Sequence, residues 1–185
     1  MKSTIFLLVS IMNFIASSAQ DRMLTRTGSI SFYSKTPLED IQATTQTAVS
    51  VLDKKTGKIE FSVLIKSFTF EKALMQEHFN ENYLESDKFP KSTFRGQIDD
   101  LSKINFDKDG KYLVSVSGEL TLHGEAQTLT APAMITIIKG EALADAEFTI
   151  PLADYKITIP SLVKDKISKT VKISVHLNYE AQPRP

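Results

Sequence analysis

The sequence predicts an all-β fold of about eight antiparallel strands with one inserted helix. Three observations point there. Apolar and polar residues alternate in run after run, turn residues separate the runs at short intervals, and only one stretch carries a helical period. Pattern alone allows a sandwich or a barrel. The 185 residues suit one domain, and 42% apolar content is enough to build a substantial core.

At the N-terminus Lys2 precedes the apolar run Ile5 to Met12, and Ser17-Ser18-Ala19 supplies small residues for cleavage after Ala19. That is the pattern of a secretory signal peptide, because the run falls short of the roughly 20 residues a membrane span requires. Residues 1–19 are therefore read as the signal peptide and 20–185 as the mature domain, periplasmic or secreted.

In the mature chain Ile30 and Phe32 alternate with Ser29, Ser31 and Tyr33 in a first short strand that ends at Thr36-Pro37. Gln42 to Leu52 is Thr-rich and β-branched, a second strand. Asp53 to Gly57 turns the chain, and Ile59, Phe61, Val63 and Ile65 then alternate with Glu60, Ser62, Leu64 and Lys66 in the clearest half-buried strand. These four are predicted to point inward.

The helical stretch follows, with Phe70, Ala73, Leu74, Met75, Phe79 and Tyr83 near three- and four-residue spacings until Phe89-Pro90 stops it. Phe94, Gly96 and Ile98 mark the next strand. After the turn Asp107 to Gly110 comes a long one, in which Tyr112, Val114, Val116, Gly118, Leu120 and Leu122 share a face and Gly118 bends the sheet. His123-Gly124-Glu125 reverses the chain into Leu129 to Lys139, which is apolar on both faces. A hairpin at Lys139-Gly140-Glu141 leads to Ala144, Ala146, Phe148 and Ile150 on one face. Pro151 to Ser168 shows no clear period. The last strand puts Val171, Ile173, Val175, Leu177 and Tyr179 on one face, ahead of a loose tail from Ala181 to Pro185.

Most chemistry is absent from this pattern. Lys plus Arg equals Asp plus Glu at 22 each, so no strong net field draws the chain to nucleic acid or an anionic membrane. The chain has no Cys, and His78, His123 and His176 stand at no metal-ligand spacing, so neither metal nor cofactor is expected. His123 and His176 read as solvated outer-face residues, and Glu77 and Glu81 as an exposed helical pair. With no nucleophile elbow, P-loop or dinucleotide fingerprint, the sequence does not read as an enzyme.

The run HFNENYLESDKFPKSTF, from His78 to Phe94, resembles the signature of the YceI-like family. Further stretches resemble that family in the same order: Ser29-Ile30-Ser31-Phe32 with Thr36-Pro37, Gly118 to Gly124, and Phe148-Thr149-Ile150 with Asp154-Tyr155. The resemblance implies a lipocalin-like antiparallel barrel that holds a polyisoprenoid chain, of quinone or prenyl phosphate type, as carrier or buffer. It places Phe61, Val63, Ile65, Val114 and Val116 against that chain, with Phe148, Ile150, Ile173 and Val175 on the facing strands. Phe79 and Tyr83 would shape or close the mouth. The sequence departs from the family where Glu125-Ala126-Gln127-Thr128 replace the basic residue and Pro that often follow the hairpin Gly.

Small residues among large ones, Ala144 and Ala146 beside Phe148 and Ile150, with Gly118 elsewhere, fit either a slot for a ligand or a tapering packed core. Ala146 is the residue expected to line such a slot. The alternative function is a secreted module with a filled core that binds a protein partner on its outer face. The sequence reads as neither membrane-spanning nor nucleic-acid binding, and it leaves a homodimer open.

Overall fold

The computed structural model describes residues 21–181, so the expected signal peptide with its expected cleavage site, and the tail beyond Ala181, lie outside the described residues. Nine strands lie among the described residues: β1 (Arg22–Lys35), β2 (Asp40–Asp53), β3 (Lys58–Leu64), β4 (Thr69–Phe70), β5 (Lys91–Ile98), β6 (Gly110–Leu122), β7 (Glu125–Ile138), β8 (Glu141–Pro151) and β9 (Thr170–Ala181). All pair antiparallel. The two-residue β4 pairs only with β2, and the other eight run β1-β9-β8-β7-β6-β5-β3-β2 until β2 pairs with β1 again. The sheet closes into a barrel, which leaves the long strands no open edge.

The alternation read from the sequence is the barrel's inside and outside. Along β9, Val171, Leu177 and Tyr179 are buried while Lys172, His176 and Asn178 are exposed. Along β7, Ala131, Ala133, Ile135 and Ile137 are buried, so this strand, apolar on both faces in sequence, still has one inner face. Its outer side carries Ile138, half exposed. The first strand is longer than its clear alternation indicated, because bulges between Thr25, Gly28 and Ile30 break the period-two pattern of β1.

Two tight turns use positive φ. His123-Gly124 (φ 52° and 79°) joins β6 to β7, and Lys139-Gly140 (φ 52° and 84°) joins β7 to β8. Both have the left-handed backbone that two-residue hairpins demand. Within β5 and β6, Gly96 pairs directly with Gly118. A Cβ on Gly118 would lie 2.4 Å from the Gly96 Cα and 2.7 Å from the Phe94 ring. The glycine pair thus lets two strands close on each other beneath an aromatic ring, and it leaves no room for a ligand.

The helix is shorter than its apolar spacing predicted. Phe70 belongs to β4, where it pairs with Ala43, and the α-helix α1 spans Ala73–His78 with none of its residues buried. A π-helical turn, Phe79–Tyr83, follows, with the Leu84 N–H donating to the Phe79 carbonyl at 2.9 Å. The wider turn advances the chain by less per residue and delivers Phe79 and Tyr83 to the barrel's end.

One end of the barrel is filled. Met23, Leu52, Ile98, Ile104, Val114, Ile137 and Ala142 form a buried cluster there, closed over by Leu101 and Phe106 from the β5–β6 connection. The other end is framed by the β1–β2 turn, α1 and the segment 152–169, which holds short turns at Leu152–Tyr155 and Ser161–Val163.

Candidate functional site: an apolar cavity in the barrel

Between the filled end and the frame lies a cavity of about 570 Å³. Its floor is made by Ile135, Leu177 and Tyr179, its walls by inward residues from all eight long strands, and its rim by Lys72, Leu74, Met75 and His78 with Val163, Lys166 and Ile167. The size falls within the range of small-molecule sites. The room comes from small side chains: Ala131 and Ala133 on β7 lie beside Ala144 and Ala146 on β8, and the register pairs Ala133 with Ala146. Side chains of Leu size at those positions would fill much of the lumen.

The sequence-predicted ligand residues Phe61, Val63, Ile65, Phe79, Tyr83 and Val116 line this cavity, as do Ala146, Phe148, Ile150, Ile173 and Val175. Ile59 lines it too, so the four inward residues of the third run share one face. Ile65 does so from the turn Ile65–Ser67, one residue beyond β3. Val114 does not reach the cavity. It points inward, but lower down, and packs in the filled end. Gly118 adds no space, because the Phe94 ring covers it.

Sequence reasoning missed an aromatic wall near the mouth. The Phe79 ring stacks on Phe32 at 5.3 Å between centroids, and lies 5.0 Å from Phe70 and 5.9 Å from Phe68. Phe32 in turn meets Phe68 at 5.6 Å. The four rings come from β1, from the β3–β4 connection, from β4 and from the π-helical turn, so no local spacing reveals them. A sequence signal was present only as an excess of Phe between residues 61 and 94. The segment 152–169, unreadable by period, supplies Leu152, Ile157, Val163 and Ile167 to the rim.

Polar groups at the site are few, and several are partnered. Ser92 Oγ donates to the Thr121 carbonyl at 2.9 Å, and Ser34 Oγ accepts from the Ser168 N–H at 2.9 Å. At the rim Lys72 Nζ lies 3.4 Å from Glu39 Oε1. On the floor the Ser50 hydroxyl donates to the Glu60 carbonyl, so the Tyr179 hydroxyl donates to Ser50 Oγ at 2.7 Å. Burial pushes the Tyr179 phenol up to about 12, and burial also raises that of Tyr83 at the mouth.

The three imidazoles are not assembled into one site. His176 is on the outer face, with Nδ1 at 2.6 Å from Asp145 Oδ1, as its polar neighbours indicated. His123 differs from its reading as a solvated residue: its side chain is only 10% exposed, and it is bonded at both ring nitrogens, to the Tyr155 carbonyl and to Glu85. Loops distant in sequence fold over it. Glu77 and Glu81 are exposed. Among the described residues no three His, Asp or Glu side chains are placed to hold a metal ion, and no helix is long and apolar enough to cross a membrane.

A closed antiparallel barrel with an apolar lumen and one framed opening can sequester an apolar molecule. The comparisons agree on the architecture. A polyisoprenoid binding domain from Saccharophagus degradans, implicated in plant cell wall breakdown, matches with a TM-score of 0.77 at 18% identity, over 88% of this chain and 99% of that one. BcnA of Burkholderia cenocepacia matches with a TM-score of 0.67 at 18% identity, over 82% and 95%. The YCEI protein of Campylobacter jejuni matches with a TM-score of 0.52 at 17% identity, over 96% and 94%. No curated protein matches the chain. The YceI-like domain matches residues 22–179, nearly the whole described barrel, and the chain therefore belongs to the YceI-like family.

Proposed function

We propose that this protein is an exported carrier or buffer of a long apolar lipid, a polyisoprenoid whose chain lies in the barrel and whose head group sits at the mouth. One observation carries the reading: the alanine-lined lumen of about 570 Å³, apolar on nearly every side. Each Å² of apolar surface taken from water contributes roughly 25 cal/mol, so a chain of several prenyl units binds there without many polar contacts. The polyisoprenoid binding domain with the same fold supports that choice of ligand. The signal-peptide pattern supports a periplasmic or secreted location, where a water-insoluble lipid needs a soluble shelter. A packed module that binds only a protein partner leaves this lumen without an occupant.

Native mass spectrometry of the purified protein, before and after solvent extraction, tests the reading. The expected result is a bound mass that solvent removes and that fragments as a polyisoprenoid. Protein that flies only at its bare mass, with nothing apolar in the extract, would overturn it.

A further inference from the structure

The rim carries leucines that stay largely exposed. The most exposed large apolar side chains among the described residues are Leu162 at 93%, Leu38 at 69%, Leu113 at 65% and Leu74 at 62%. Three of these four stand around the opening, on three separate segments. Leu38 is in the β1–β2 turn, Leu74 in α1, and Leu162 in the turn Ser161–Val163. The Lys72–Glu39 pair joins the first two segments, and the bond from the Ser168 N–H to Ser34 Oγ ties the third to the end of β1. Scattered single leucines need no explanation, but three on separate segments that frame one cavity mouth mark a contact surface.

The charge beside Leu162 names the partner. Residues 160–169, PSLVKDKISK, hold Lys164, Lys166 and Lys169 against Asp165 alone. None of these lysines is in an ion pair among the described residues, whereas Lys35 and Lys72 on the neighbouring rim are paired with Asp40 and Glu39. An apolar tip with unpaired lysines just behind it suits an anionic phospholipid surface, where leucine enters below the head groups and ammonium meets phosphate. The chain as a whole is neutral, so the attraction is local and reversible. A protein partner fits less well, because the leucines stand on three separate segments instead of forming one continuous face.

We infer that the barrel docks mouth-first on an anionic bilayer, with Leu162 inserted and Lys164 and Lys166 on the phosphates, so that cargo passes between membrane and lumen without crossing water. This rests on the carrier reading. Sedimentation with vesicles of phosphatidylethanolamine and phosphatidylglycerol tests it, with extraction of bound lipid from the same preparations. Leu162→Glu is expected to lower vesicle partition about tenfold or more, since it removes the burial of one leucine side chain. Joint Lys164→Gln and Lys166→Gln should lower it by a similar factor and weaken its salt dependence. Leu113→Glu, at the filled end, should leave it unchanged, and all variants should retain extractable lipid.

Vesicle binding that is absent in the parent, or equal in parent and Leu162→Glu, would overturn docking while the lipid in the extract leaves the carrier standing. Vesicle binding of the expected pattern with no extractable lipid would do the reverse. Cargo transfer that proceeds only with an added protein, and without vesicle association, would also overturn it.

Discussion

The rings of Phe32 on β1 and Phe79 on the π-helical turn stack 5.3 Å apart with their planes 20° from parallel. This contact, with those to Phe68 and Phe70 and the buried Leu84 that follows the turn, holds the helical insertion against the barrel, because no residue of α1 is itself buried. Phe79→Ala is expected to cost about 2–4 kcal/mol, at or below the usual loss for a core Phe because the ring is only partly covered. Thermal unfolding measures that cost. The same variant should release bound lipid faster than the parent, since the wall at the mouth loses its central ring, and Phe79→Leu should show a smaller change of both kinds.

His123 sits in the β6–β7 turn with φ of 52°, its Nδ1 at 3.0 Å from the Tyr155 carbonyl and its Nε2 at 2.9 Å from Glu85 Oε2. It clasps three segments near the mouth: this hairpin, the loop before β5 and the turn after β8. Its ring also meets Phe89 edge-on at 4.8 Å. His123→Ala is expected to cost about 2–3 kcal/mol in urea unfolding, through two lost hydrogen bonds and a non-glycine residue with no polar side chain at positive φ. His123→Asn should lose less, because Asn tolerates that backbone conformation.

Tyr179 gives a pH dependence with a defined sign. Its phenol is pushed from 10.0 in the unfolded chain to about 12 by burial, partly offset by the hydrogen bond to Ser50. A raised value in the folded state means the contribution is fully present below pH 10 and is lost as pH climbs from 10 towards 12. Over that window the parent should lose roughly 2–3 kcal/mol that Tyr179→Phe does not lose. At neutral pH Tyr179→Phe should cost only about 1 kcal/mol, because Ser50 keeps its bond to the Glu60 carbonyl. Unfolding curves at a series of alkaline pH values measure the difference.

The strands were readable because each long strand has one face in the lumen and one in water, which forces a period of two on Ile59, Phe61 and Val63 and again on Val171 to Tyr179. Alternation names a face but not a depth. Val114 and Val116 are therefore alike in sequence, although one lies in the filled end and the other on the cavity wall. The helical spacing of Phe70 to Tyr83 overstated the helix, since spacing cannot reveal that Phe70 pairs with Ala43 on β2 or that the turn widens at Phe79. His123 looked solvated because its neighbours are polar, while its cover comes from residues far along the chain. The segment 152–169 has no period because it lies across the barrel's end instead of along its wall.

Whether the lumen holds lipid or is a packing defect can be decided at Ala146, whose Cβ faces the cavity between Ala133 on β7 and Val175 on β9. The measurement is extractable lipid per protein, with melting temperature, for the parent and Ala146→Trp. If the lumen is a ligand site, the indole enters space that side chains do not fill. Lipid recovered should then fall severalfold from a substantial parent value, with the melting temperature of lipid-stripped protein unchanged or raised. An overpacked core would instead cost about 1–3 kcal/mol and lower that temperature. Loss of stability in Ala146→Trp, together with no extractable lipid in the parent, would contradict a lipid-carrying barrel.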